Sequence, residues 1–380
     1  MADAAWLRDS SDAEEAAALT ARLVALRSYP GEEGAVQRAV AAWLAEERLA
    51  PELQPTEGDR PNVVARVENG PGPTLLLNGH VDTVLAVQGW SCDPWQGSRE
   101  GDRLYGLGAC DMKSGVVAAM LATRALARRR DLWRGTVLFT SVVDEEAYSI
   151  GARALLAGGL QADYCVVTEA SWAHPVLGSF GKVLAQIDVI GKAAHASHPG
   201  EGINAAVEAA RLVARLGDLP LGQHPRFVAS QCVLSFHSGS AQYVITVPET
   251  ARVLLNRHTV PGETGEGVVR DLQALADGLD SPARFDISIA PPYYPPWEIA
   301  EDHPFVRGFA TAYAAEIGHA PDFAYTGFGD ANLFSAEGGI PTIQFGPYGG
   351  NFHQADEWVD VPSIGATVRV LLRLALDVLG

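Results

Sequence analysis

The apolar run Leu75-Leu76-Leu77 passes through Asn78-Gly79 directly into His80 and Asp82. Such a run reads as a strand buried on both faces, and Asn-Gly ends it. A histidine with a carboxylate two residues on, at the carboxyl end of a buried strand, stands where open α/β sheets hold ligands. The pattern recurs along the chain. Thr136–Val143 ends in Asp144-Glu145-Glu146, Tyr164–Val167 ends in Thr168-Glu169, and Ile340–Phe345 leads to His353. Asp111 follows a Gly-rich stretch at the start of a helical run. Taken singly, each has a plain reading: a loop histidine bonded to its own aspartate, or a solvated acidic turn at Glu145-Glu146. Together they place buried charge at four strand ends, which is costly unless the charges are paired or metal-bound. If the strands are neighbours in one sheet, two divalent ions sharing one carboxylate would neutralise the cluster. The nitrogen and oxygen donors, with no cysteine among them, suit Zn²⁺, with Co²⁺ or Mn²⁺ as alternatives.

Helical periods over Ser11–Leu26, Glu33–Leu49 and Ser114–Arg128 alternate with these strands and with Asn62–Val67. That alternation predicts an α/β fold with a doubly wound, mostly parallel sheet. From about Phe180 the texture changes. Strand Val183–Ile190, helix Ile203–Leu216, strands Ser230–Phe236 and Thr250–Thr259, helix Glu263–Leu279 and strand Phe285–Ala290 follow in turn. This is the βαββαβ order of a ferredoxin-like α+β sandwich. Pro291–Pro296 reads as a stiff linker. Helices Pro304–Ile317, Asp330–Ala336 and Val361–Leu379 then resume the first texture. The expected organisation is one domain over residues 1–179 and 291–380, with a second inserted over 180–290.

A length of 380 residues suits two domains. The net charge of −18 disfavours nucleic acid and anionic membranes as partners. No apolar run approaches the ~18 residues of a membrane span. Cys92, Cys110, Cys165 and Cys232 have no paired spacing, so neither a disulfide framework nor a zinc knuckle is expected. Reduced thiols fit a cytoplasmic protein. The acidic stretch Met1–Glu15 lacks the pattern of a signal peptide.

Five motifs then carry a resemblance. Gly79-His80-Val81-Asp82-Thr83, Gly106-Leu107-Gly108-Ala109-Cys110-Asp111-Met112-Lys113-Ser114-Gly115, Asp144-Glu145-Glu146, Thr168-Glu169 and His353-Gln354-Ala355-Asp356-Glu357 are similar, in order and spacing, to the M20 family of dizinc hydrolases. That family holds aminoacylases, carboxypeptidase G2-type enzymes, acetylornithine deacetylase and succinyl-diaminopimelate desuccinylase. The resemblance implies a metal-dependent hydrolase of an N-acyl amino acid, small peptide or related amide. It implies two divalent ions: His80 and Glu169 as end ligands of one, Glu146 and His353 of the other, and Asp111 bridging, with a cis peptide just after it. Asp82 resembles the group that orients His80, and Glu145 the general base that takes a proton from water and hands it to the leaving amine. Gly191-Lys192-Ala193-Ala194-His195-Ala196-Ser197-His198-Pro199 resembles the family's lid motif. It implies that 180–290 is a lid and dimerisation domain, and that His195 reaches the partner subunit's site in a homodimer. His198 acquires no role.

One region departs from the family. Many relatives grip a substrate carboxylate with an Asn three residues before a Pro and an Arg ten residues after it. With Pro248 as anchor, these positions hold Ile245 and His258, and Arg257 stands one residue early. A one-residue shift on a strand moves a side chain to the other face. His258 and Arg257 are thus the candidate substrate-binding residues. The expected substrate lacks a free α-carboxylate on its leaving part or holds it elsewhere. Two other readings stand beside the amidohydrolase: an inactive binding homologue of the same fold, and a dizinc aminopeptidase needing a free substrate amine.

Overall fold

The computed structural model describes residues 4–380, so the first three residues of the Met1–Glu15 stretch lie outside it. The chain divides into two compact units. One comprises Met1–Gly178, Glu298–Ala324 and Gly329–Gly380, the other Ser179–Trp297 and Tyr325–Phe328.

In the first unit the buried apolar runs pair with one another. Strands Gly135–Val142, Thr74–His80, Tyr164–Val167 and Thr342–Gln344 lie side by side and parallel in a mixed sheet. Asn62–Asn69 flanks them antiparallel on one side and Val176–Ser179 on the other. Because the four central strands run the same way, their carboxyl ends share one edge, and the polar groups that follow each strand gather there. Val361–Leu379 packs against Ala13–Val24, Ser114–Arg128 and Pro304–Ile317. Local chemistry sets these helix starts. The Asp12 carboxylate accepts from Glu14 N and Glu15 N at 2.8 and 2.9 Å, and Asp360 accepts from Ser363 N at 3.0 Å with a proline in the first turn. A smaller antiparallel sheet joins Ser98–Glu100, Arg103–Tyr105, Trp358–Asp360 and Gly349–Gly350. It ties the stretch before Asp111 to the stretches on either side of His353.

The second unit is a four-stranded antiparallel sheet in the order Ser230–Ser238, Thr250–Thr259, Gly181–Ile190, Arg284–Tyr294. Val183, Ala185, Ile187 and Val189 alternate inward against Val253, Leu255, Leu212 and Leu272. Helices Ala205–Arg215 and Gly265–Asp277 therefore cover one face only. The proline run is not a linker. The last strand continues through it to Tyr294, which is buried and pairs with Lys182. Pro291 and Pro292, joined by a cis bond, fall where the register shifts between Ala290 and Tyr294, and there a missing N–H is tolerated. Tyr325–Phe328, placed with the first domain by sequence texture, packs with this unit.

Close packing fixes the strand end that carries Glu169. A Cβ on Gly115 would fall 1.9 Å from the Thr168 carbonyl oxygen, and one on Gly346 would fall 2.3 Å from it. Alanine is the better helix former by about 1 kcal/mol. Gly115→Ala is nonetheless expected to destabilise the first unit by about 1–3 kcal/mol through overpacking. Urea unfolding measures this, and a net gain in stability would show that the helix has room to move.

Candidate metal centre

His80 closes the middle strand with its side chain only 1% exposed. Its Nδ1 lies 3.1 Å from the Asp82 carbonyl oxygen, which can only accept, so Nδ1 carries a proton and Nε2 faces the acids. Nε2 lies 3.3 Å from Glu169 Oε1, 3.5 Å from Asp111 Oδ1 and 3.9 Å from Glu145 Oε2. His353 forms a second group, with Nε2 3.3 Å from Glu146 Oε2 and 3.4 Å from Asp111 Oδ2. Asp111 thus presents one carboxylate oxygen to each histidine. It sits in the irregular turn Ala109–Lys113, outside helical geometry, and the bond to Met112 is cis.

Four carboxylates surround these two imidazoles, and the charges act on one another. Burial alone would lower the His80 pKa, but Glu169, Asp111 and Asp82 outweigh it and hold the ring well above its ordinary value. The adjacent carboxylates of Asp111 and Glu146 raise His353 to about 10. Burial pushes Glu169 up to about 7. Glu145 rises well above the usual carboxylate range through burial and the charges of Glu169, Asp330 and Glu146. Asp111 goes the other way, because the two histidines more than offset its burial.

This donor set suits divalent ions. Nitrogen–oxygen separations of 3.3–3.5 Å are long for hydrogen bonds. Two donors held about 2.0–2.1 Å from one tetrahedral ion stand about 3.3–3.4 Å apart. His80, Asp111 and Glu146 all offer ligand atoms within 4.8 Å of one another. Cys110, beside Asp111, is a buried thiol whose pKa burial pushes far up, so it is no thiolate donor.

Residues 76–377 match the family model of peptidase family M20/M25/M40. The chain belongs to this family. It is 29% identical over 325 residues to the succinyl-diaminopimelate desuccinylase of Methylobacterium radiotolerans, covering 82% of each protein. It is 28% identical over 345 residues to the acetylornithine deacetylase of Vibrio campbellii, covering 88% of this chain and 89% of that one. A Bacillus subtilis protein described as a dinuclear metal-binding peptidase of the M20 family matches the fold at TM-score 0.75, with 18% identity over 99% of each chain. As an M20 member the chain is a metal-dependent hydrolase of amide bonds. Among the described residues, no helix is long and apolar enough to cross a membrane.

The other residues singled out from the M20 motifs lie in the second unit. His195 is exposed, and its Nδ1 accepts from Ser197 N at 3.1 Å. Arg257 and His258 point to opposite faces of their strand. Arg257 is 1% exposed and donates to Glu263 Oε1 at 2.6 Å and the Pro220 carbonyl at 2.8 Å. The reading of Arg257 as a substrate-binding group is therefore corrected: its guanidinium is committed to the interior of its unit. His258 lies on the sheet face opposite the helices, stacked on Phe180 at 5.8 Å.

Sequence reasoning missed the contacts that hold the candidate ligands in place. The Asp82 Oδ2 accepts from Glu146 N at 2.9 Å, so the group that orients His80 also fixes the turn bearing Glu145 and Glu146. Asp144, at φ 69, starts that turn and accepts from Tyr148 N and from Arg60 Nη1. The same Arg60 nitrogen reaches the fully buried Glu33, 3.1 Å away. Glu357, 1% exposed, accepts from the backbone N–H of Gly108, Cys110 and Asp111 at 2.9, 2.9 and 3.0 Å, and so clamps the Asp111 turn. Asn351, His353 and Asp356 sit at φ 61, 58 and 57, a left-handed conformation costly for such residues and common at functional loops. Arg60 and Glu33 were out of reach because their partners lie far away in sequence. Glu357 stands inside a quoted motif, but its bonding is a matter of tertiary structure.

Burial pushes the Glu33 carboxyl from 4.5 up to about 7, and Arg60 offsets only part of this. With the folded pKa raised, the folded state binds more protons than the unfolded chain between those values. Glu33 therefore costs stability progressively as pH rises from about 4.5 to about 7. Glu33→Gln should remove that slope and gain on the wild type by about 2–3 kcal/mol across the window. Urea unfolding of both proteins at pH 5 and pH 7.5 measures the difference, and parallel pH profiles would contradict it.

Proposed function

We propose that the chain hydrolyses the amide bond of an N-acyl amino acid, small peptide or related amide, using two divalent ions and Glu145 as proton carrier. The observation that carries this reading is the Asp111 carboxylate, shared one oxygen apiece between the His80–Glu169 pair and the His353–Glu146 pair. His80 and Glu169 would hold one ion, His353 and Glu146 the other, with Asp111 between them. The donor chemistry favours Zn²⁺, and Co²⁺ or Mn²⁺ fit the same atoms. Such ions, when bound, bring the pKa of a water toward neutrality and polarise a carbonyl.

The chain's own groups would do the rest. Glu145 stands beside the ligands without belonging to either pair. Its Oε1 lies against Gly329, where a Cβ would fall 2.2 Å away, so a larger residue there would displace the Glu145 carboxylate. Glu145 takes a proton from the attacking water as its oxygen bonds to the carbonyl carbon. It returns that proton to the amine nitrogen as the C–N bond breaks. Asp82 keeps the His80 lone pair aimed at the site and holds Glu146 in register with it.

The second unit would serve as lid and dimerisation domain. Supporting this, Ser230–Ser238 is an edge strand, paired on one side only among the described residues, with Leu234 and Phe236 exposed, and Tyr243, Val244 and Ile245 are exposed nearby in sequence. With Nδ1 accepting from Ser197 N, neutral His195 carries its proton on Nε2, a donor suited to a carbonyl oxygen gaining charge. The four cysteines are unpaired, which agrees with a cytoplasmic protein.

Elemental analysis and kinetics test the assignment together. Asp111→Ala should weaken occupancy of both ion sites. Glu145→Ala should keep both ions and lose about a hundred- to ten-thousandfold in kcat. Wild-type-like metal binding by the first, or near-normal turnover by the second, would overturn these roles. In mixed dimers, a His195→Ala chain paired with a Glu145→Ala chain should regain one working site. Persistent inactivity of the mixture would contradict a contribution across the dimer.

A further inference from the structure

Glu145 and Glu146 are neighbours in sequence, yet their side chains part. The Glu146 carboxylate reaches His353 at 3.3 Å, and that of Glu145 turns toward Gly329 and the His80 side of the cluster. The turn that begins at Asp144 sets this division. Its carbonyl oxygen accepts from Tyr148 N at 3.0 Å and Ser149 N at 2.6 Å, and its carboxylate accepts from Tyr148 N at 3.1 Å. The bonds that close the turn around the two glutamates therefore end on Asp144, and any rotation of Asp144 re-aims both of them.

The turn is gripped from both sides. On the metal side, Asp82 Oδ2 accepts from Glu146 N at 2.9 Å. On the other side, Arg60 Nη1 donates to Asp144 Oδ1 at 2.6 Å. The Arg60 and Asp144 side chains are only 12% and 4% exposed, so solvent screens this charge-assisted bond little. Arg60 is itself fixed: Nε donates to the Glu57 carbonyl at 3.2 Å, and Nη1 also donates to Glu33 Oε1 at 3.1 Å. Removing the guanidinium would leave the Glu33 and Asp144 carboxylates facing each other uncompensated, and their repulsion would drive Asp144 out of its place.

We propose that Arg60 is a positioning residue: through Asp144 it sets the angle at which Glu146 meets its ion and Glu145 meets the reacting water. This rests on the two-ion hydrolase reading above. Because the single nitrogen Nη1 makes both buried contacts, the requirement is a positively charged donor at that point, not the guanidinium fork. His80 and Glu169 stand on other strand ends, so the ion they would hold depends far less on Arg60.

Arg60→Met, Arg60→Lys and Asp144→Asn test this against a general loss of structure. Competition for zinc against a chromophoric chelator reads the affinity of each ion without turnover. Arg60→Met should weaken one of the two ions by about ten- to a hundredfold and leave the other nearly unchanged, and Arg60→Lys should regain most of the loss. Asp144→Asn should weaken the same ion, and Arg60→Met should cost less in the Asp144→Asn background than in wild type, because both act through one contact. The lysine and asparagine variants keep hydrogen-bonding groups in place and carry the test should Arg60→Met fail to fold. On N-acetylleucine or leucylglycine, whichever wild type turns over, Arg60→Met should lower kcat with little change in KM. Selective weakening of one ion in a chain whose wild type hydrolyses no amide would uphold the positioning role and remove the hydrolase reading. Equal weakening of both ions, unchanged affinity for both, or Arg60→Lys no better than Arg60→Met would overturn the positioning role.

Discussion

Like-charge crowding is the constraint on which this molecule turns. Asp111, Glu145, Glu146 and Glu169 converge on two imidazoles at the carboxyl edge of a buried sheet, with Asp82 and Asp330 close behind. Carboxylates at that density repel one another strongly in a low-dielectric setting. Parallel strand pairing creates the convergence, because it brings four strand ends to one line. Positive charge has to be recruited there, and the spacing of the donors is that of ligands around shared ions.

Holding such a cluster together requires a frame that does not depend on the cluster. Three separate devices supply it. Asp82 links the His80 strand end, through its backbone carbonyl, to the Glu146 turn, through its carboxylate. Arg60 anchors Asp144 from the outside and is itself held by Glu33. Glu357 gathers three backbone N–H groups of the Asp111 turn, and the small sheet through Trp358–Asp360 carries that clamp into the loop of His353. Lys113, quoted in the Asp111 motif, serves the same frame: it is buried and donates to the carbonyls of Leu23 and Leu26.

The strand ends were legible in the sequence because local patterns determine them. An apolar run long enough to be buried, stopped by polar residues, needs no partner to be recognised, and Tyr164–Val167 and Thr250–Thr259 have the bounds expected. Pro291–Pro296 misled because proline argues against a strand unless a bulge absorbs its missing N–H, and a bulge depends on the neighbouring strand. Arg60 and Glu33 were invisible for a related reason. Each owes its character to what surrounds it: a glutamate before a helical run is ordinary until the fold buries it against a distant arginine.

The two histidines differ in one respect that has a practical bearing. The His80 side chain is 1% exposed, whereas that of His353 is 54% exposed. Bulk solvent, and any chelator or competing cation in it, meets the His353 side first. Exchange there should outpace exchange at His80, so the two positions would drift apart in content during purification. On the two-ion reading proposed above, a preparation holding about one ion per chain would then be half-stripped, and one holding two different metals would record the order in which they were met.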